Sequence, residues 1–210
     1  MMKLLISRAS KNPVSPDPAN MLSASPVILS TERLLLRELT PAMFNNLFLR
    51  KTKQEIMEYL NLKTDQEYAD MEERYTKGIT TYFQDFKGFH LLDKATNKVI
   101  GHCDYHTWVP GHRRAEIGYA ITNEKYKNKG LMKEALESIL TFGFGQMNLF
   151  RVEAVITTYN TPSLQLMQHF GFQREGLLRN HYLVDEHLVD TYIYSLLKPE
   201  FEAWKRKHNV

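Results

Sequence analysis

Residues Ala115 to Ala135 read AEIGYAITNEKYKNKGLMKEA, and this stretch decides the fold. It opens as a strand that ends near Thr122, passes through a polar, lysine-rich turn, and enters a helix at about Gly130. The first amides of a helix have no partner inside it, and the aligned peptide dipoles make that end positive. A strand-to-helix turn of this kind is a natural seat for phosphate. Gly130 has no side chain to hold a ligand off the backbone, and Lys125, Lys127, Lys129 and Lys133 add positive charge around it. A pyrophosphate suits the turn. A plainer reading also suits it: a solvated turn with lysines on its surface. The stretch matches neither a Walker loop nor a GxGxxG fingerprint, which makes nucleoside triphosphates and dinucleotides poorer fits.

Upstream, the pattern is that of strands. Gly88 to Asp93 and Val99 to Trp108 flank the polar turn Lys94 to Lys98 and read as a hairpin. Arg113 to Ile121 follows as a third strand, so an antiparallel meander is expected. Further back, order is expected from Thr31, with Leu34 to Glu38 as a first strand. Thr40-Pro41 has the form of an N-cap followed by proline at the first helical position. Residues 41–60 carry helical spacing as two short helices, and residues 65–83 as a longer one through Tyr68, Met71, Tyr75, Ile79 and Tyr82. Residues 1–30, with Pro13, Pro16, Pro18 and Pro26 among Ser and Asn, read as a tail that is flexible or packs on the body. A single domain is expected over 31–210.

Downstream, helix and strand alternate. Gly130 to Met147 carries the apolar stripe Leu131, Ala135, Leu136, Ile139 and Phe142. Arg151 to Ile156 is a strand. Thr161 to Phe170 is a helix with Pro162 in its first turn and Gly171 past its end. Two closing strands, from Phe172 and over His187 to Leu197, precede a terminal helix at Lys198 to His208. The fold class is α/β (α+β): a mixed sheet, antiparallel first, flanked by helices.

Composition narrows the function classes. A hydrophobic fraction of 43% and a charged fraction of 24% over 210 residues are ordinary for a globular protein. A formal net charge of +3 is too small to imply a nucleic-acid partner. No apolar run approaches the length of a membrane span, and no secretory leader is evident. Cys103 is the only cysteine, which fits a reducing, cytoplasmic setting.

Several pieces together resemble the GNAT acetyltransferases, and within them the RimJ/RimL group. The segment Lys127-Asn128-Lys129-Gly130-Leu131-Met132 resembles the acetyl-CoA motif Gln/Arg-x-x-Gly-x-Gly/Ala, departing from it at Lys127 and Met132. Thr31 to Arg37 resembles the group's opening strand, and Glu116-Ile117-Gly118-Tyr119 its fourth. Asn160 to Ser163, with Gly171-Phe172 and Glu175-Gly176, resembles its later cofactor motif. The order and spacing match across 31–200.

The resemblance implies a sheet splayed where acetyl-CoA enters. It implies that the backbone amides of Asn128 to Met132 bind the pyrophosphate. Backbone groups of Ala120, Ile121 and Thr122 would pair with the pantetheine arm, and Asn160 would hydrogen-bond it. Many GNAT enzymes carry a Tyr seven residues after that Asn. Met167 stands there, so the hydroxyl expected to assist the leaving thiolate is Ser163, as in the RimJ/RimL group.

An α-amine has a pKa of about 8 and must lose a proton before it attacks a thioester. Glu116 is the candidate base, a carboxylate that the resemblance places beside the cofactor arm. Its alternative is an exposed strand residue paired with Arg113 or Arg114. The acceptor is expected to be a protein N-terminus, with a small amine such as a polyamine, aminoglycoside or amino-acid-like toxin as the alternative. A non-catalytic CoA-binding module is a third reading.

Other residues carry weaker signals. His102, Asp104 and His106 share one strand face, but one strand gives poor metal geometry, and no metal is expected. Cys103 faces the other way, into the core. Tyr68, Tyr75 and Tyr82 are packing residues, while His181 and His187 suit the acceptor side. Trp108 and Trp204 are aromatics that a homodimer could cover.

Overall fold

A computed structural model describes residues 26–76 and 86–209. Its strands are β1 (Ile28–Ser30), β2 (Leu34–Glu38), β3 (Lys87–Asp93), β4 (Lys98–Val109), β5 (Arg114–Ile121), β6 (Arg151–Thr157), β7 (Gln173–Val184) and β8 (His187–Leu197). Its helices are α1 (Pro41–Arg50), α2 (Lys53–Leu60), α3 (Asp65–Thr76), α4 (Leu131–Gly145), α5 (Thr161–Phe170) and α6 (Lys198–His208). The strands form one sheet in the order β1-β2-β3-β4-β5-β6-β8-β7. Every pairing is antiparallel except β5 with β6.

Local sequence explains the helix starts. Thr40 accepts from the Met43 amide at 3.1 Å with Pro41 following, and Thr52 and Glu55 close a reciprocal capping box on α2. Gly171 ends α5 in the left-handed conformation, with φ 79°. The expected helix over 65–83 is present as α3 to Thr76; residues 77–83, with Ile79 and Tyr82, lie outside the described residues.

Strand alternation then sorts the side chains. Leu34, Leu36, Phe89, Leu91, Cys103, Tyr105, Ala115, Ile117, Val152 and Ala154 join the buried stripes of α4, α5 and α6 in the larger core. Leu92 and Val99, with Leu35 against them, meet Leu47, Ile56 and Leu60 of α1 and α2 on the opposite face. The polar residues of β4 and β5, including His102, Asp104, His106 and Glu116, lie on this second face.

The sheet opens at the β5–β6 junction. Pairing there covers Arg114↔Arg151, Ala115↔Val152 and Glu116↔Glu153. Beyond this point β4 holds β5 as far as Ile121, and β8 holds β6 as far as Thr157. The strands diverge because each has a firm partner on its outer side. α4 follows β5 and α5 follows β6, so both helix N-termini stand at the mouth of the gap. A crevice beyond the carboxyl ends of diverging strands is where open sheets bind ligands.

Two expectations are corrected. The sheet begins before Thr31, because Ile28–Ser30 pair with Leu35–Arg37 and the Val27 amide donates to Glu38 Oε2 at 2.8 Å. Trp204 is no exposed dimer residue. It is 8% exposed, stacks on Phe201, and donates its indole N–H to the His169 carbonyl.

Candidate active site

The gap is lined first by backbone. In an antiparallel ladder, alternate residues turn both their N–H and C=O toward the same neighbour. Thr122 donates its amide to Ile100 O at 3.0 Å and Ala120 pairs with His102, so the even-numbered residues of β5 face β4. The amides and carbonyls of Ile117, Tyr119 and Ile121 therefore face the side that β6 leaves. Of the residues expected to pair with a pantetheine arm, only Ile121 turns its backbone that way. Ala120 and Thr122 are committed to β4, and Tyr119 turns its backbone the same way as Ile121.

The loop before α4 supplies a seat for anions. Glu124–Tyr126 make a 3-10 turn that takes the Lys127 amide onto Glu124 O at 3.1 Å, and the Lys127 ammonium pairs with the Glu124 carboxylate. Lys127 is thus held within the loop. Asn128 and Gly130 take left-handed conformations, with φ 58° and 74°. The first bond of α4 runs from the Glu134 amide to Gly130 O at 3.1 Å. The amides of Leu131, Met132 and Lys133 therefore have no partner within the helix. A Cβ on Gly130 would meet only Arg33 Nη2, at 3.7 Å, so the backbone is open to close approach. These features fit a pyrophosphate.

Arg33 and Thr31 brace that loop from the turn between β1 and β2. Arg33 donates its amide and its Nε to the Glu134 carboxylate, both at 2.7 Å, and its Nη1 to Lys129 O at 2.9 Å. Thr31 Oγ1 bonds the same carboxylate. Burial pushes the Glu134 carboxyl up, but these bonds more than reverse that and hold it below its usual value. Arg33→Ala is expected to weaken acetyl-CoA binding by about fivefold, on the order of 1 kcal/mol for one lost brace at a partly exposed site. Calorimetry checks it, and wild-type affinity would mean that the loop keeps its shape unaided.

The second helix start holds Asn160 and Ser163. Asn160 Oδ1 caps α5 by accepting from the Ser163 amide at 3.3 Å. Asn160 is itself an exposed residue. Across the gap stands the phenol of Tyr119, buried and without a hydrogen bond of normal geometry. Burial pushes its pKa up to about 12, with the nearby Ser163 hydroxyl pulling part of the way back. Met167 is fully buried in the core and offers no hydroxyl. Ser163→Ala is expected to lower turnover about tenfold, roughly 1.4 kcal/mol of barrier, while sparing acetyl-CoA affinity. Stopped thiol-release assays separate the two, and full activity would leave Ser163 as a helix-start residue only.

Glu116 lies on the second face, with a side chain 20% exposed. Its neighbour is neither Arg113, which bonds Asn148, nor Arg114, which bonds Glu153 at 3.0 Å. It is His106, whose Nε2 lies 3.4 Å from Glu116 Oε1 and whose Nδ1 lies 2.8 Å from Asp104 Oδ1. The Asp104 bond first, then the Glu116 bond, raise the His106 pKa to about 9 against an opposing push from burial. The stability this imidazolium contributes is complete below pH 6.5 and is lost as pH rises through about 9. Next along the same face, Arg151 joins Glu153 at 2.8 Å to Glu175, which also accepts from Ser195 Oγ. Among the described residues no three acidic, His or Cys side chains converge as a metal set.

The other candidates fall into place. Cys103 is fully buried, and burial drives its thiol pKa well up. Tyr75 stacks on Phe48 at 4.6 Å, and Tyr68 tilts against the same ring. His181 bonds Thr191 at 3.0 Å and stacks on Tyr182, whose phenol feels the Glu116 charge. His187 contacts Asp185 O. Trp108 is only partly buried.

Comparison with known proteins fits this geometry. Residues 33–173 match the model of the acetyltransferase (GNAT) domain. The chain is 32% identical over 174 residues to an uncharacterized N-acetyltransferase of Bacillus subtilis, YoaA, covering 82% of this chain and 97% of that one. It is 29% identical over 114 residues to the ribosomal protein uS5-alanine N-acetyltransferase of Escherichia coli, covering 54% of this chain and 58% of that one. A GNAT acetyltransferase of Bacillus anthracis superposes with a TM-score of 0.59 at 26% identity, over 82% of this chain and 99% of the other. The splayed strands, the anion seat before α4 and these likenesses meet in one conclusion: the chain belongs to the GNAT acetyltransferases, acyl-CoA-dependent N-acetyltransferases that use acetyl-CoA as co-substrate.

Proposed function

We propose that the amine acceptor is the N-terminal α-amine of a protein, of the ribosomal-protein type, and that the chain belongs to the RimJ/RimL-like group. The observation that carries this is the state of the acids around Glu116. Asp104 and Glu116 share His106; Glu153 is held by Arg114 and Arg151; Glu175 is held by Arg151. A polycation needs a surplus of unpaired acid, whereas a peptide bears one amine and runs along an open groove. Exposed Leu183 and Leu188 of the neighbouring β7–β8 hairpin suit peptide side chains. The partial likeness to the uS5-alanine acetyltransferase supports the same reading.

In this reading acetyl-CoA lies in the gap between β5 and β6. The amides from Asn128 to Met132 hold the pyrophosphate, Tyr119 and Ile121 pair with the pantetheine, and Asn160 bonds it. Glu116 takes the proton that the ammonium must lose. Backbone N–H groups at the divergence offer a donor to the carbonyl oxygen as charge develops on it. Ser163 stabilises the departing thiolate.

The residues from β1 onward act as one domain, in a reducing, cytoplasmic setting supported by the lone buried Cys103. No helix of the described residues is long and apolar enough to cross a membrane. The long β7 edge, with exposed Leu177, supports a homodimer.

The test is release of free thiol from acetyl-CoA against a panel of peptides and small amines. Turnover with a peptide bearing a free N-terminus, and none once that end is blocked, is expected. Turnover only with spermidine, an aminoglycoside or an amino-acid-like toxin would replace the acceptor. Tight acetyl-CoA binding with no turnover at all would favour a non-catalytic module.

A further inference from the structure

We propose that Asp104, His106 and Glu116 form one proton-carrying unit, in which Glu116 passes the proton of the acceptor amine to His106. The inference rests on acetyl transfer to an amine at Glu116, but not on which amine is used.

Three observations place the unit. The β4–β5 register sets His106 directly opposite Glu116 and Asp104 opposite Gly118. His106 uses both ring nitrogens, Nδ1 toward Asp104 at 2.8 Å and Nε2 toward Glu116 at 3.4 Å. The space it fills exists because residue 118 is glycine. A Cβ there would stand 3.0 Å from His106 Cε1 and 3.2 Å from Asp104 Oδ1. The strand is therefore bare of side chain where the imidazole must lie.

Among the described residues, few charged or titratable groups face His106. Asp104 comes from its own strand and Glu116 from β5. Beyond Glu116 stands the Tyr182 phenol of β7. His102 lies on the same face two residues before Asp104. Arg114 and Glu153 are committed to each other.

Proton bookkeeping follows from this order. The ammonium gives a proton to Glu116 Oε1, and its freed lone pair attacks the thioester carbonyl. The Glu116 proton moves to His106 Nε2, creating an imidazolium whose Nδ1–H stays bonded to Asp104. The acceptor loses one positive charge and His106 gains it. With its side chain 39% exposed, His106 returns the proton to solvent. The 3.4 Å spacing is long for transfer, and such bonds commonly tighten when substrate closes the site. The unit works from its neutral imidazole form, so turnover should climb with pH until His106 is deprotonated.

The experiment is the pH dependence of kcat at saturating amine, measured with whichever amine is turned over. In the wild type, a limb rising toward pH 9 is expected, following the raised pKa of His106. Asp104→Asn should move that limb down by about one to two pH units, the scale of a bond to a charged group. Only the free amine titrates independently of the protein, so the limb is assigned to His106 by the ring titration described below. His106→Gln should abolish the limb and lower kcat about a hundredfold. Both variants should bind acetyl-CoA as the wild type does, which a misfolded chain would not.

Titration of the His106 ring by NMR gives a readout without turnover. It should be raised in the wild type and lowered in Glu116→Gln. A limb unmoved by Asp104→Asn overturns the relay, and so does a His106 that titrates at the ordinary 6.5. Replacement of the peptide by a small amine as acceptor changes the acceptor alone.

Discussion

Gly130→Glu is expected to abolish acetyl-CoA binding. Two effects act together. Gly130 has φ 74°, where a residue with a side chain pays about 1 kcal/mol or more. The larger effect is electrostatic, because a carboxylate would sit beside the amides of Leu131 and Met132, where the pyrophosphate must lie. Like charges about 4 Å apart near a protein surface repel by roughly 4 kcal/mol, about a thousandfold in affinity. Gly130→Ala separates the two effects. Its Cβ would have only Arg33 Nη2 near it, at 3.7 Å, so it should lose only the backbone share, about five- to tenfold. Calorimetry with acetyl-CoA reads both. Unchanged affinity in Gly130→Glu would move the phosphate site away from the start of α4.

The same loop shows what a sequence can and cannot disclose. Its strand, turn and helix were legible because each has a period or a punctuating residue: alternation up to Ile121, then Gly130, then the stripe from Leu131 to Phe142. Other features depend on tertiary partners. Arg33 and Glu134 are 101 positions apart, and nothing in either residue's surroundings announces that they meet. The strand Ile28–Ser30 follows a proline-rich run and is too short to show a period; it exists because β2 offers it an edge. His106 opposite Glu116 depends on a register that shifts between His106 and Val109, beside the 3-10 turn Pro110–His112. Alternation put His102, Asp104 and His106 on one face but could not name what faced them. Trp204 sits among charged residues of the last helix, so its burial comes from Phe170 and Phe201 rather than from local pattern. Nothing in the sequence singled out Tyr119 within its strand. The β4–β5 register turns its backbone away from β4, and the divergence of β6 leaves that edge unpaired.

Glu116→Gln is expected to reduce kcat by about a hundredfold or more while leaving acetyl-CoA affinity intact. The amide keeps the shape of the carboxylate and can still accept from His106 Nε2, so the local packing survives. It cannot take a proton, and the loss of a positioned base typically costs about 10²- to 10⁴-fold. The affinity should hold because the anion seat is built from the loop before α4, at the far end of β5 from Glu116. Dependence on pH gives the sharper test. Below the amine's pKa, about 8 for an α-amine, almost every acceptor arrives protonated and the base is indispensable. Above it, a growing share arrives as free amine and needs no base. Because the proton must pass on to a neutral His106, the wild type slows in parallel at low pH, so the deficit should be largest and level below about pH 9 and shrink above it. A uniform deficit would assign Glu116 to orientation of the acceptor, since orientation is required at every pH. A pH–rate profile identical to the wild type would remove Glu116 from the proton path, and the relay through His106 would fall with it.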